Sequence, residues 1–415
     1  MDEQKTPLDQ CNHFVIRKKR YCRMTVKPGE TYCGEHQPAT EGVREPSEDK
    51  KIRVVCPLDR KHTCYAHNLK KHLKICNARP GVALPYIEKG VNSGEVDYNC
   101  DDSHKLLSEF SPQQITEVVA KVNKIYEEGL VDKVTTKTTT HRVVEDEIAK
   151  PEHGDKSRKH LKQASAVLGL LSEYDLLRPD TCFIEFGAGR GQLSYWLAQT
   201  VDSSNCYFLL VERSSPKHKR DNKLDKTDDK VQRIRADIAD LVLSKVETVT
   251  KSSQIVAVTK HLCGDATDLA LRCLTNVADR SKVAGCVMTF CCHHRCRWGA
   301  YIGKQYFSSV GLCKSDFDMM GGMSSWATCG TGFSREKNCE KGGDVEIVNE
   351  RDREIGLNRA QKGEIGKRCK AILNWGRLQF LEGLGFQCNL HFYVGSDVSL
   401  ENVCIVGRRT HPDKA

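Results

Sequence analysis

No run of about eighteen apolar residues occurs in the chain, so no segment reads as a membrane-spanning helix and no membrane partner is expected. The opening stretch, MDEQKTPLDQ, lacks the basic start and apolar centre of a secretory signal. Cysteine, by contrast, is abundant, with 21 among 415 residues. Without a secretory signal, that count implies a reducing intracellular compartment, nucleus or cytoplasm. There cysteines serve as metal ligands, core residues or reactive groups. The length allows two or three domains. The net charge is +9, and residues 1–80 carry +7 of it, with 17 basic against 10 acidic side chains. A basic front before a near-neutral remainder points to a polyanionic partner. The composition sets no oligomeric state.

The front holds two clusters of soft ligands. Cys11, Cys22, Cys33 and His36 give C-x10-C-x10-C-x2-H, and Cys56, His62, His72 and Cys76 give C-x5-H-x9-H-x3-C. Four thiolate or imidazole ligands within a short span suit tetrahedral Zn²⁺. Neither segment has the apolar content for a core, so metal must stand in for one. We expect a CCCH module over residues 1–40 and a CHHC finger over 52–80, joined by a flexible linker at 37–51. His72 and Cys76 are spaced to share one helical face. Cys64 and His67 lie in the same stretch and are alternative ligands. Arg17 to Arg20 and Arg23, and then Lys70, Lys71 and Lys74, interleave with the ligands and offer phosphate contacts.

Residues 81–150 read as a helical linker region. Ser111 followed by Pro112 starts a helix with an apolar stripe (Ile115, Val118, Val119, Val122) that would bridge fingers and catalytic region. Lys133 to Lys156 is polar and reads as loop. From residue 151 to 410 helical and strand-like runs alternate, giving an α/β domain with a mostly parallel sheet and Rossmann-like layering. A helix around Arg368 to Leu384 and two strands close it, and MMGGMSSWATCG (Met319 to Gly330) reads as a wall or lid.

Within this domain CFIEFGAGRGQL (Cys182 to Leu193) runs strand, glycine loop, helix. Gly187, Gly189 and Gly191 stand where backbone must turn tightly and meet a ligand. The next strand, YFLLV, ends in Glu212, at the distance of a ribose-binding carboxylate, and Asp237 follows as a group for an adenine. Glu185 beside the loop favours a cationic amino-acid cofactor, S-adenosyl-L-methionine, and repels a pyrophosphate. Two more strands, IVAVT and GCVMTF, exit into KHLCG (Lys260 to Gly264) and CCHHRC (Cys291 to Cys296), and so point at the same crevice.

These motifs in this order resemble the eukaryotic tRNA ribose 2′-O-methyltransferases that modify nucleotide 4 of the acceptor stem. The CCCH and CHHC modules, IEFGAGRGQLS, KHLCGDATDLALRC, CCHHRC and MSSWATCG carry the resemblance over nearly the whole chain; one departure is GGMSSW at Gly321 to Trp326. The resemblance implies methyl transfer to tRNAs such as those for proline, glycine and histidine. Alternatives are an RNA-base or protein methyltransferase, or a non-catalytic zinc-finger scaffold on RNA.

A ribose hydroxyl is a poor nucleophile, so one group must take or orient its proton while the site aligns it with the methyl. Candidates are Lys260, His261, His293 and His294, with histidine able to act near pH 7 and lysine only after a strong pKa depression. Alternation lets one of His293 and His294 face the site. Asp265 is either a further catalytic group or the cap of the helix that follows.

Overall fold

The computed structural model describes residues 10–15, 20–22, 24–33, 36, 52–60, 62–76, 84–94, 103–201, 205–224, 229–328 and 354–409. The chain divides into two units, Met1–Leu84 and Pro85–Ala415.

The first unit has almost no apolar interior. An antiparallel pair, β1 (Phe14–Val15) and β2 (Arg20–Tyr21), accompanies Cys11, Cys22 and Cys33, which are the buried hydrophobic cluster of their segment. A second pair, β3 (Arg53–Val55) and β4 (Thr63–Tyr65), leads to α1 (Leu69–Ile75), which has no buried residue. Arg17, Lys18, Lys19 and Arg23 and the linker at 37–51 lie outside the described residues.

The second unit begins with α2 (Pro112–Gly129), β5 (Val134–Thr136), α3 (Arg142–Ala149) and α4 (Asp155–Glu173). Then β6 (Thr181–Phe186), α5 (Gln192–Ala198), β7 (Tyr207–Val211) and β8 (Val231–Ile234) alternate. After α6 (Glu247–Thr250) come β9 (Gln254–Cys263), α7 (Ala266–Thr275) and β10 (Val283–Cys291). Helices α8 (Lys304–Ser309), α9 (Lys314–Ser324) and α10 (Arg359–Glu382) precede the closing pair β11 (Phe386–Phe392) and β12 (Val403–Arg409).

All described strands of this unit join one sheet, in the order β5-β11-β12-β10-β9-β6-β7-β8. It is parallel except at β12, which runs antiparallel to both β10 and β11. The central strands are continuous apolar runs because both faces are covered. In β6, Cys182, Ile184 and Phe186 enter one core, and Phe183 enters the core on the other face. From β6 the chain winds outward through β7 and β8, then returns to β9 on the other side. The strand order reverses beside β6, and the crevice opens there, at the carboxyl ends of the strands.

Several expectations change. The segment 133–156, expected as loop, supplies edge strand β5, parallel to β11, and helix α3. Residues 85–150 thus belong to the sheet-bearing unit. The apolar stripe of α2 is buried in a third core with α8, α9 and α10, so the helix packs within this unit. The expected lid is the end of α9 and a following turn at Ser325–Ala327; Met319, Met320 and Met323 are buried core, and 329–330 lie outside the described residues. The methionines of this run lie on α9 and pack into the third core, so its first half is a buried helical wall.

Candidate active site and metal centres

The two ligand quartets assemble as their spacing requires. The ligand atoms of Cys11, Cys22, Cys33 and His36 lie within 4.8 Å of one another, as do those of Cys56, His62, His72 and Cys76. In the second group Cys56 and Cys76 sulfurs are 3.7 Å apart, and His72 Nε2 is 3.2 Å from Cys56 Sγ. Zinc–sulfur bonds of about 2.3 Å at tetrahedral angles place two sulfurs roughly 3.8 Å apart, so the donor set fits zinc. Asp59 lies 3.4 Å from His62 Nδ1 and orients the ring so that Nε2 faces the metal position. Cys64 and His67 are not in the quartet; His67 stacks on Tyr65. Cys76 is the C-cap of α1 and keeps a helical φ of −60°, so it stands one turn beyond His72 on the same face, and their ligand atoms converge as the spacing implies.

In the larger unit the glycine loop follows β6 as expected, with Gly187, Gly189 and Gly191 all at positive φ. A Cβ on Gly187 would lie 2.8 Å from Leu262 Cδ1, so the leucine would have to shift, and the positive φ strains any residue but glycine there. Arg233 holds the loop from behind, donating to the Gly189 carbonyl at 3.0 Å and pairing with Asp221. Glu212 at the end of β7 accepts from the Gly189 N–H at 2.9 Å and from the Ser214 N–H at 2.8 Å. Burial alone would raise its pKa, but these hydrogen bonds outweigh it and lower the value, so Glu212 is ionised at neutral pH.

Gly187, Glu212 and Asp237 line one cavity of about 670 Å³ together with His261, Asp265 and His294. Loop backbone, an ionised carboxylate and a second acidic group opening into one space fit S-adenosyl-L-methionine: the loop would hold its amino-acid part, Glu212 the ribose diol and Asp237 the adenine.

Glu185 does not face this cavity. It is 4 % exposed, and one carboxylate oxygen accepts from both the Ser194 N–H, at 2.9 Å, and the Ser194 hydroxyl, at 2.5 Å. Burial pushes its pKa up to about 7, against Ser194 and the Lys260 charge. It is a strut that fixes the start of α5 to β6, because a carboxylate at the end of a fully buried strand must find a donor inside.

The exits of β9 and β10 are tied together. The Thr289 N–H donates to Thr259 Oγ1, and the His261 N–H donates to Thr289 Oγ1, each at 3.0 Å. A bulge between Met288 and Phe290 and a left-handed His261, φ +64°, re-aim the strand ends. His261 Nε2 donates to the Gln163 side-chain oxygen at 2.8 Å, leaving Nδ1 as its acceptor nitrogen. Burial, then the Lys260 and His160 charges, push the His261 pKa down to about 4. The imidazole is therefore neutral at pH 7, and it does not titrate near neutrality as expected.

Lys260 opens instead into a second cavity of about 920 Å³, with Lys156, His160, Arg190, His218 and Arg220 on its walls. Burial lowers its pKa, opposed by Glu185. Arg220 also ion-pairs with Glu147 and lies over the Tyr195 ring, so the charged segment 217–220 is only partly turned to the cavity. His293 is 2 % exposed and bonded to Asn374 Oδ1 at 2.9 Å; of the two neighbouring histidines, His294 faces the crevice. Asp265 does not cap α7 with its side chain; it accepts from the Arg297 N–H at 2.5 Å, and burial raises its pKa. Asp268 is buried in a two-point pair with Arg377. Gln163 and Arg377 are missed by sequence reasoning. Gln163 carries a signal, a polar residue in the apolar run of α4, whereas Arg377 carries none.

Comparison with known proteins meets this geometry. The family model described as Methyltransferase TRM13 matches residues 162–408. The chain belongs to the TRM13 methyltransferase family. The front modules match a CCCH zinc finger in TRM13 protein over 9–37 and a U11-48K-like CHHC zinc finger over 53–77. The Mus musculus protein named tRNA:m(4)X modification enzyme TRM13 homolog is 36% identical, covering 98% of this chain and 96% of that protein. The Homo sapiens protein of the same name is 34% identical over 97% and 95%, and the Saccharomyces cerevisiae protein tRNA:m(4)X modification enzyme TRM13 is 28% identical over 96% and 95%.

Proposed function

We propose that this methyltransferase transfers the methyl group of S-adenosyl-L-methionine to a ribose 2′-hydroxyl of tRNA, at nucleotide 4 of the acceptor stem. The relatives' names support tRNA as substrate class, and the basic N-terminal region suits it. The observation that carries the ribose chemistry is the exit of β9. There Lys260 and the neutral His261 stand between the cofactor cavity and a cavity walled by cations. A hydroxyl between these cavities would have phosphate-binding charge on one side and a proton acceptor beside it.

The bound donor supplies an activated methyl on a sulfonium. Lys260 is the proton acceptor: burial lowers its pKa below the ordinary lysine value, so it gives up its own proton more readily than a solvated lysine, whereas His261 near 4 has too little proton affinity to hold the proton. His261 and His294 orient, and Gln163 fixes the imidazole. His293 stays structural, and Asp265 secures the Arg297 backbone at the cavity wall. The zinc modules, with Lys70, Lys71 and Lys74 exposed on α1, hold the stem through its phosphates, since an A-form stem hides its base edges. Incubation with labelled donor and total tRNA, followed by nucleoside analysis, tests this reading. Alkali-resistant ribose-methylated products are expected; base-methylated products, or labelled protein, replace it.

A further inference from the structure

Three thiols meet at the rim of the cofactor cavity. Cys263 ends β9 and Cys291 ends β10, and they are register partners across the parallel pair. Same-register residues of neighbouring strands share a face, and a strand spacing of about 4.8 Å lies within the Cα separations a disulfide spans. The two sulfurs are 2.8 Å apart, and Cys292, left-handed at φ +52°, turns its thiol in, so all three lie within 4.8 Å. Among the described residues this cluster offers three ligand atoms, one fewer than either front quartet. Cys263 is exposed and lines the cavity with Gly187 and Glu212, and Cys291 is buried behind it.

We propose that Cys263 and Cys291 form a peroxide-sensitive dithiol whose closure to a disulfide weakens cofactor binding. Cys263 is the attacking member. It is the exposed thiol of the pair, and its contacts with Cys291, Cys292 and Arg295 lower its pKa against burial and the Glu401 charge. The Cys263 contact and burial hold the Cys291 pKa up. The Cys263 thiolate attacks one oxygen of hydrogen peroxide; an S–O bond forms, the O–O bond breaks, and hydroxide leaves and is protonated to water. The Cys291 sulfur then attacks the Cys263 sulfur, forming the S–S bond and expelling hydroxide, which takes the Cys291 proton and leaves as water. Two thiols are oxidised by two electrons and one peroxide is reduced to two waters. Bond formation draws the sulfurs together by about 0.8 Å. It does so in a wall that already carries two left-handed residues, His261 and Gly264, beside the cofactor loop.

The test is treatment of the full chain with hydrogen peroxide, alkylation, peptide mapping without reductant, and donor affinity by calorimetry. The expected result is a Cys263–Cys291 linked peptide and donor binding weakened tenfold or more, restored by dithiothreitol. In Cys291→Ser the linked peptide is absent; should that variant fail to fold, the map of the natural chain decides alone. Overturning results are both thiols alkylated after treatment, Cys263 linked elsewhere, or a link with unchanged donor affinity. A third zinc per chain, lost in Cys291→Ser, would also overturn it and make the cluster a metal site. The binding consequence rests on the cofactor reading above, but the linked peptide is read by mass alone, so the two fail separately.

Discussion

Lys260 and His261 are consecutive residues of β9 that line different cavities, the lysine the cation-lined space and the histidine the space it shares with Gly187 of the glycine loop. The strand end is thus the wall where cofactor and substrate sides meet. With Lys260 as acceptor, Lys260→Met should lower kcat by roughly 10²-fold or more while donor affinity stays within a few-fold. His261→Ala should cost less. Because the neutral amine is the active form, kcat of the natural enzyme should climb with pH and level off above the lowered Lys260 pKa. A flat profile, or His261→Ala costing more than Lys260→Met, would reassign the acceptor.

Gly187 combines φ +66° with a Cβ position 2.8 Å from Leu262 Cδ1. Gly187→Val should abolish donor binding in calorimetry while both zinc equivalents stay bound. Affinity surviving within a few-fold would place the cofactor elsewhere.

Glu185 gives a pH-dependent stability with a definite sign. In the unfolded chain its carboxyl ionises from near 4.5, whereas in the folded chain burial holds it protonated to about 7. Stability therefore falls as pH rises across that window, and the penalty is complete above it, amounting to about 3 kcal/mol. Glu185→Gln keeps an oxygen for the Ser194 donors and cannot ionise. Thermal unfolding should show it more stable than the natural chain at pH 8, with the gain vanishing by pH 4. Equal melting temperatures at pH 8 would mean that Glu185 is solvated or paired.

The parts legible in the sequence were those where spacing alone dictates chemistry. The two zinc quartets, the glycine loop with Glu212 and Asp237, and the parallel strands with their closing pair all follow from local pattern. The parts missed depend on what lies across a strand or beyond a helix. A strand of three residues at β5 has no periodicity to read, and it exists because β11 needs an edge partner. Glu185 looked outward because it adjoins the loop, but its face is decided by Ser194 nine residues on. The His261 pKa depends on burial and on Lys260, and neither its value nor the Cys263–Cys291 register can be had without the pairing of β9 and β10.

The second zinc site separates its four ligands from the cysteine and histidine that intervene. Cys56→Ser or His72→Ala should lose one equivalent of zinc by elemental analysis, with donor affinity unchanged, and Cys64→Ala should retain both. Zinc loss in Cys64→Ala alone would move the site.

Ribose methylation at nucleotide 4 is tested with two synthetic substrate tRNAs that differ at a single atom: one with ribose at nucleotide 4, one with 2′-deoxyribose there. Methyl transfer to the first and none to the second is expected, with comparable binding of both. Equal methylation of the two would contradict it, because the accepting oxygen would then lie elsewhere.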